Sequence, residues 1–295
     1  MGLRYDTVTF FSDYGLADEF VGIVKSVIRS IAPEALVIDL THDIAPHDVR
    51  GGGLALARSA QYLAPGVVLG VVDPGVGSTR RGVAIEVGDG QSVLVGPDNG
   101  LFAPAVAMVG GAGRAVELTN ADYHLPAPGP TFAGRDIFAP VVANLCLGVD
   151  LAELGEMIDP ITLLPGVLPI THEDEGALMV EVLWIDRFGN AQLNVDPDEV
   201  HGWGDRIRLR WGERSRIGVR AKTYGDVKPG EIGLVVDSYG LLSVTVDQGS
   251  AAAELGWRAS DRLALERLDD DEVDDEDDGA LGATSTVALT PRKER

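Results

Sequence analysis

Residues 67–73 read VVLGVVD, a nearly continuous β-branched apolar run ending on an acid, Asp73. Apolar side chains at both parities mean that neither face of this strand meets water, the pattern of a strand covered by helices on both sides. The same figure recurs on either side of it. TVTFFSD (7–13) is a short β-rich run ending at Asp13. Behind it Phe20, Ile23, Val24, Val27, Ile28 and Ile31 repeat at intervals of three and four, the stripe of a helix lying on a sheet, and Pro33 helps to end it. ALVIDLTHD (35–43) is the next strand, followed by a Gly-rich and then Ala/Leu-rich helix reaching about Leu63. GVAIEVG (82–88) and SVLVGPDNG (92–100) add two strands, and AGRDIFAPVVANLCLG (133–148) reads as a loop entering a helix. Strands alternating with helices predict a layered α/β domain with a largely parallel sheet, over residues 1–168.

At PITLLPGVLP (160–169) three prolines in ten residues break the pattern. Beyond it the chain turns β-rich in ALMVEVLWID, AQLNV, RIRLRW, IGLVVDS and LLSVTVD, punctuated by Phe188-Gly189-Asn190, Lys228-Pro229-Gly230 and Tyr239-Gly240. A second, smaller, mainly β domain is expected over 169–268, with SAAAELG (250–256) as a short helix. From Glu266 to Asp278 ten acids face one base; such a run repels itself and has little to bury, so 269–295 is expected to be a disordered acidic tail.

The 295 residues carry 46 acidic and 24 basic side chains, a formal charge of −22. That balance argues against nucleic acid or an anionic membrane as partner, since both repel such a surface. Apolar residues at 45% and charged residues at 24% exclude global disorder. One cysteine, Cys146, excludes an internal disulfide framework and a cysteine-built metal cluster. No run approaches the roughly 18 apolar residues of a membrane span, and MGLRYDTVTFFSDYG lacks the apolar stretch of a signal peptide. A cytoplasmic setting is expected.

Ligands of open α/β sheets bind beyond the carboxyl ends of the strands. Here those ends carry Asp13, Asp43, Asp73 and Asp98-Asn99. Clustered carboxylates repel phosphate, favour a cation and accept hydrogen bonds from sugar hydroxyls. Taken singly, each fits a turn or a helix cap better than a ligand contact, and only for the set do the two readings balance. In VVDPGVGSTRRG (71–82), Gly75 and Gly77 invite a dinucleotide-fingerprint reading, but Arg80 stands where the third glycine belongs. Asp73 and Arg80 instead frame a tight loop and are expected to pair across it, the arginine keeping Asp73 ionised. An ionised carboxylate beside a water can act as base. His42, Asp43, His47 and Asp48 are metal-ligand types, but a proline separates histidines five apart, so no shared helix face presents them. His124, His172 and His201 stand alone, and Ser12, Ser238 and Ser250 lack a nucleophile elbow. No metal site is expected.

FFSDYGLADEFVG (10–22), DLTHDIAPHDV (39–49), VVDPGVGSTRR (71–81), VGPDNGLF (95–102), TFAGRDIFAP (131–140) and IDRFGN (185–190), in this order, resemble the S-adenosyl-L-methionine (SAM) hydroxide adenosyltransferase family, the SAM hydrolases related to the fluorinase and chlorinase. The likeness spans about residues 6–260. It implies an N-terminal α/β domain, a β-barrel-like C-terminal domain, and a homotrimer with active sites between subunits. It further implies attack of water or hydroxide on the ribose 5′ carbon of SAM, giving adenosine and L-methionine with no cofactor. A sulfonium leaves readily, so catalysis is chiefly the alignment and activation of water.

By the same likeness Asp13 would hold the ribose hydroxyls and Asp18 would lie near the methionine end. Asp186 and Asn190 would grip the methionine amino and carboxylate groups, with Phe188 packing nearby. Ser238 and Tyr239 would touch the amino-acid part, and Asp247-Gln248-Gly249 would offer backbone groups to the adenine. Asn99 joins these as a substrate-binding position. Asp73 and Arg80 match two members of a water-activating Asp-Arg-His trio, with Arg81 as the alternative arginine. The third is absent: the histidine of a TFHGRD-type motif is Ala133 here, and a methyl group handles no proton. Three readings fit, namely an engineered inactivating substitution in an otherwise intact motif, a natural variant relying on Asp73 and Arg80, and a relative with a changed role. The intact surroundings favour the first. His124, nine residues upstream, is a candidate replacement. Halide transfer is the nearest rival, disfavoured because an anionic Asp73 would repel the halide. A non-catalytic SAM or adenosine binder and a docking protein using the acidic tail complete the alternatives.

Overall fold

The computed structural model describes residues 3–268, so the expected disordered tail lies outside the described residues. The chain divides into two compact units, Met1–Pro169 and Ile170–Arg295. The first holds β1 (Thr7–Ser12), β2 (Leu36–Thr41), β3 (Val67–Val71), β4 (Gly82–Val87), β5 (Ser92–Pro97), β6 (Ala112–Glu117) and β7 (Glu156–Ile158), side by side in the order β2-β1-β3-β5-β4-β6-β7. Strands β2, β1, β3 and β5 are mutually parallel, whereas β4, β6 and β7 add antiparallel pairs. The sheet is therefore mixed, with the predicted parallel character concentrated in the half formed by β2, β1, β3 and β5. The cause is local. Residues 88–91 alone join β4 to β5, with Gly88, Asp89 and Gly90 at positive φ, and so short a link returns the chain antiparallel.

Helices cover both faces of this sheet. On one side α1 (Phe20–Ile31) packs on α4 (Ala139–Leu147); on the other α2 (Val49–Ser59) packs on α3 (Ala103–Met108). Val8, Phe10, Leu69 and Val71 enter the core with Val24, Ile28 and Val142. Their strand neighbours Phe11, Val68 and Val72 enter the opposite core with Leu56 and Phe102. Alternation across two buried faces explains why these strands read as continuous apolar runs. Each such side chain contributes about 1.5–3 kcal/mol on full burial.

Connectivity sets where a ligand can enter. From β1 the chain crosses through α1 to β2 on one flank, then through α2 to β3 on the other flank of β1. The order reverses between β1 and β3, and the crevice beyond their carboxyl ends is the natural binding position of such a sheet. Asp13 directly follows β1, and Asp73 lies two residues beyond β3.

The second unit contains β8 (His172–Asp174), β9 (Ala177–Ile185), β10 (Ala191–Leu193), β11 (Arg206–Trp211), β12 (Arg214–Arg220), β13 (Ile232–Val236), β14 (Leu242–Val246) and β15 (Arg262–Arg267), plus α5 (Ala251–Leu255). Pairing of β9 with β10 closes seven of these strands into a barrel, with β8 flanking β9 outside the ring. Alternate residues such as Val180, Val182, Ile207, Leu209, Ile232, Leu234 and Val244 fill its interior. Among the described residues no helix is long and apolar enough to cross a membrane.

Candidate active site

Within the first unit, the loop after β3 folds back so that Arg80 meets Asp73. Arg80 Nε donates to Asp73 Oδ1 at 2.9 Å and its Nη2 donates to Oδ2. The pair is largely shielded, with side-chain exposures of 14% and 5%, and the guanidinium lies over the Phe138 ring at 5.3 Å. A bidentate fork fixes both carboxylate oxygens in direction as well as distance. Gly75 leaves room for it: a Cβ there would crowd Arg80 Cγ at 3.1 Å. Arg81 turns elsewhere, its Nε donating to Asp98 Oδ2 at 2.9 Å and its Nη2 to the Thr162 carbonyl at 2.6 Å. Arg80 is thus the partner of Asp73.

Asp13 accepts from the His47 backbone N–H at 2.9 Å, which ties the end of β1 to the loop before α2. Beneath it runs a line that sequence reading does not show. Ser12 Oγ and His42 Nδ1 are 2.8 Å apart, His42 Nε2 faces Asp39 Oδ1 at 3.1 Å, and Lys25 Nζ donates to Asp39 Oδ2 at 2.8 Å. Ser12 Oγ also accepts from the Tyr14 N–H, and the His42 carbonyl from the Gly15 N–H. Burial raises the Asp39 carboxyl, but Lys25 and His42 outweigh it and hold it below its usual range. Ser12 exposes none of its surface, so this Ser-His-Asp order cannot attack a substrate; it braces the turn that carries Asp13 and Tyr14. The histidine weighed as a metal ligand is structural, and among the described residues no cluster suits a metal ion.

Other expected positions take different places. Asn99 Nδ2 donates to the Val72 carbonyl at 2.8 Å while its Oδ1 accepts from Leu101 N–H, so its amide braces the ends of β3 and β5. Asp98 is occupied by Arg81 and the Leu164 N–H. Asp18 is exposed on the loop entering α1. Ala133 is 6% exposed and opens a π-helical turn, Gly134–Phe138, that leads into α4. Such widened turns recur at functional sites. Arg135 and Asp136 pair with each other at 2.6 Å, so the rest of this motif serves the turn itself. His124 is pushed down by burial, which favours its neutral form.

In the second unit, one cavity of about 860 Å³ gathers Asp186, Phe188, Asn190, Ser238, Asp247, Gln248 and Gly249. Residues from the β9–β10 turn, the β13–β14 turn and the segment after β14 thus share one wall. Asp186 Oδ1 accepts from the Phe188 and Asn190 N–H groups, and its Oδ2 from Asn190 Nδ2 at 2.8 Å. Asn190 Oδ1 accepts from Thr245 Oγ1 at 2.6 Å. The pair expected to grip an amino acid is spent largely on itself, and it gives the turn its shape. Phe188 is 77% exposed, an apolar surface presented to the cavity. Tyr239 packs edge-on to Trp184 at 6.2 Å instead of lining it. Missed by sequence reading were Tyr224, Gly225 and Thr245, which do line it, and Asp237, which accepts from Gln192 Nε2 at 2.6 Å and from the Tyr239 N–H. Burial, then Asp237 and Asp186, raise the Tyr224 phenol. The DSYG motif held the signal for Asp237; nothing near Tyr224 in sequence marked it.

The comparisons bear on both units. Residues 8–155 match the family model of the SAM hydroxide adenosyltransferase N-terminal domain, and residues 180–264 that of its C-terminal domain. An (R)-S-adenosyl-L-methionine hydrolase from Salinispora tropica is 45% identical over 258 residues, 88% of this chain and 97% of that protein. The crystal structure of an uncharacterized conserved protein from Thermotoga maritima aligns with a TM-score of 0.81 at 32% identity, covering 88% of this chain and 100% of that one. A fluorinase from Actinopolyspora mzabensis is more distant, 25% identical over 277 residues, 83% of this chain and 92% of that protein. With both domain models matched in order and near-complete coverage of a 45% identical relative, the chain belongs to the SAM hydroxide adenosyltransferase family.

Proposed function

We propose that the protein hydrolyses S-adenosyl-L-methionine to adenosine and L-methionine, with water or hydroxide attacking the ribose 5′ carbon in line with the departing sulfur. The observation that carries this is the Asp73–Arg80 fork beside Asp13 at the point where the sheet order reverses. A carboxylate fixed by a guanidinium can orient a water and take its proton, while the adjacent acid suits vicinal hydroxyls. On the leaving side the sulfonium becomes a neutral thioether when the C5′–S bond breaks, so no general acid is required. Asp13 would hold the ribose and Asp18 the methionine end. Phe188, Ser238 and the Asp247-Gln248-Gly249 segment would contact substrate, with Tyr224 as an added contact. Asn99, Asn190, Asp186 and Tyr239 would act mainly by shaping these walls. The names of the nearer relatives specify the R configuration at sulfur, and that epimer is the proposed preference. A homotrimer with sites between subunits, a cytoplasmic location, and independence of cofactors, nucleic acid and membranes complete the proposal.

Incubation with each sulfur epimer of SAM, with and without chloride or fluoride, followed by chromatography tests it. Adenosine should form, faster from the R epimer, and halide should divert none of it. A halogenated nucleoside would move the protein to halide transfer. Binding without any product would make it a SAM-binding protein. Sedimentation of the same sample should give a single trimeric species.

A further inference from the structure

We propose that the Tyr14 hydroxyl supplies, at the water-activating site, the hydrogen-bonding group that Ala133 lacks. This rests on the hydrolase reading above. Tyr14 directly follows Asp13 at the end of β1, and its ring is clamped by Phe20 at 5.4 Å and edge-on by Phe132 at 5.8 Å. So held, the phenol reaches the π-helical turn. A Cβ on Gly134, the residue after Ala133, would stand 2.4 Å from Tyr14 Oη. The turn thus keeps a glycine where the hydroxyl arrives, beside the alanine that stands where the family likeness implies an imidazole.

The charges it faces are those of the proposed chemistry. Burial first, and then the Asp73 and Asp13 carboxylates, raise the Tyr14 phenol, with Arg80 opposing. The hydroxyl accordingly stays protonated, a neutral group that accepts one hydrogen bond while donating another. In the step proposed, the water oxygen bonds to C5′ as its O–H bond breaks. That proton passes to Asp73, while Tyr14 Oη holds the attacking oxygen by accepting a hydrogen bond from its remaining O–H. The C5′–S bond breaks with its electron pair on sulfur, leaving methionine as a neutral thioether. The tyrosine ends unchanged, and Asp73 returns the proton to solvent. His124 is the weaker candidate: burial alone perturbs its imidazole, with no contribution from Asp73 or Arg80.

The test is a cycle of four proteins, wild type, Tyr14→Phe, Ala133→His and the double variant, each assayed for kcat with SAM and for SAM affinity by calorimetry. Phenylalanine keeps the ring and its packing, so Tm should hold. Tyr14→Phe should lower kcat at least tenfold, with affinity changed less than about threefold. In the Ala133→His background the same change should cost less than about threefold, because the imidazole then serves the water. An unchanged kcat in Tyr14→Phe, or an equal loss in both backgrounds, overturns the inference. Should the wild type make no adenosine while Ala133→His does, the inference fails and the hydrolase reading stands. If neither makes adenosine, both fail.

Discussion

Asp73 and Arg80 are seven residues apart, and one fork holds both carboxylate oxygens. Replacing Asp73 by asparagine keeps the shape and one acceptor while removing the anion. Asp73→Asn is therefore expected to lower kcat by about 10²–10⁴-fold while leaving SAM affinity within a few fold. An undiminished kcat in stopped-time assays would show that the carboxylate does no proton work. This pair was legible in the sequence because a glycine loop after a buried strand leaves few other places for two opposite charges to go. Asn99 and Asp98 were legible as strand-end residues but not as braces, since their partners, Val72, Arg81 and Leu164, are 17 to 66 residues away along the chain. Composition cannot say which strand-end polar group is already satisfied.

Elements carry the next level of constraint. The π-helical turn Gly134–Phe138 admits Tyr14 Oη because residue 134 has no side chain. Gly134→Ala should force the phenol or the turn aside and destabilise the protein by about 1–3 kcal/mol, read as a drop in Tm; an unaltered Tm would mean that the turn yields freely. Helix α4 places Cys146 at zero exposure, where burial, with Asp6, pushes its thiol up to about 12. The native protein should resist alkylation at pH 8 and become reactive in denaturant. Rapid native labelling would contradict the packing of α4. The sign of the linkage follows: from about pH 9 upward the unfolded thiol ionises while the folded one does not, so this residue's contribution to stability falls until about pH 12. The apolar stripe of α1 was readable from its spacing alone. The Ser12–His42–Asp39 line was not, because parallel pairing of β1 with β2 brings together residues 30 apart that no local pattern connects.

At the scale of the whole molecule, alternating strands and helices were enough to foretell the layered first unit, and turn-separated β runs the second. Two features needed coordinates. The β4–β5 hairpin makes half of the first sheet antiparallel, and the β9–β10 pairing closes the barrel; both depend on which strand edges meet, and a propensity pattern is silent on that. The family likeness supplied what patterns could not, the reason for six polar motifs to recur in order. Ala133, which stands where that likeness implies a histidine, leaves activation of the attacking water, on the reading proposed, to Asp73, Arg80 and Tyr14. The most direct measurement is turnover of SAM in water enriched in heavy oxygen, with mass analysis of the adenosine released. Adenosine carrying one heavy oxygen at its 5′ position is the expected result. Adenosine without the label, or a 5′-halogenated nucleoside in its place, would contradict attack by water at that carbon.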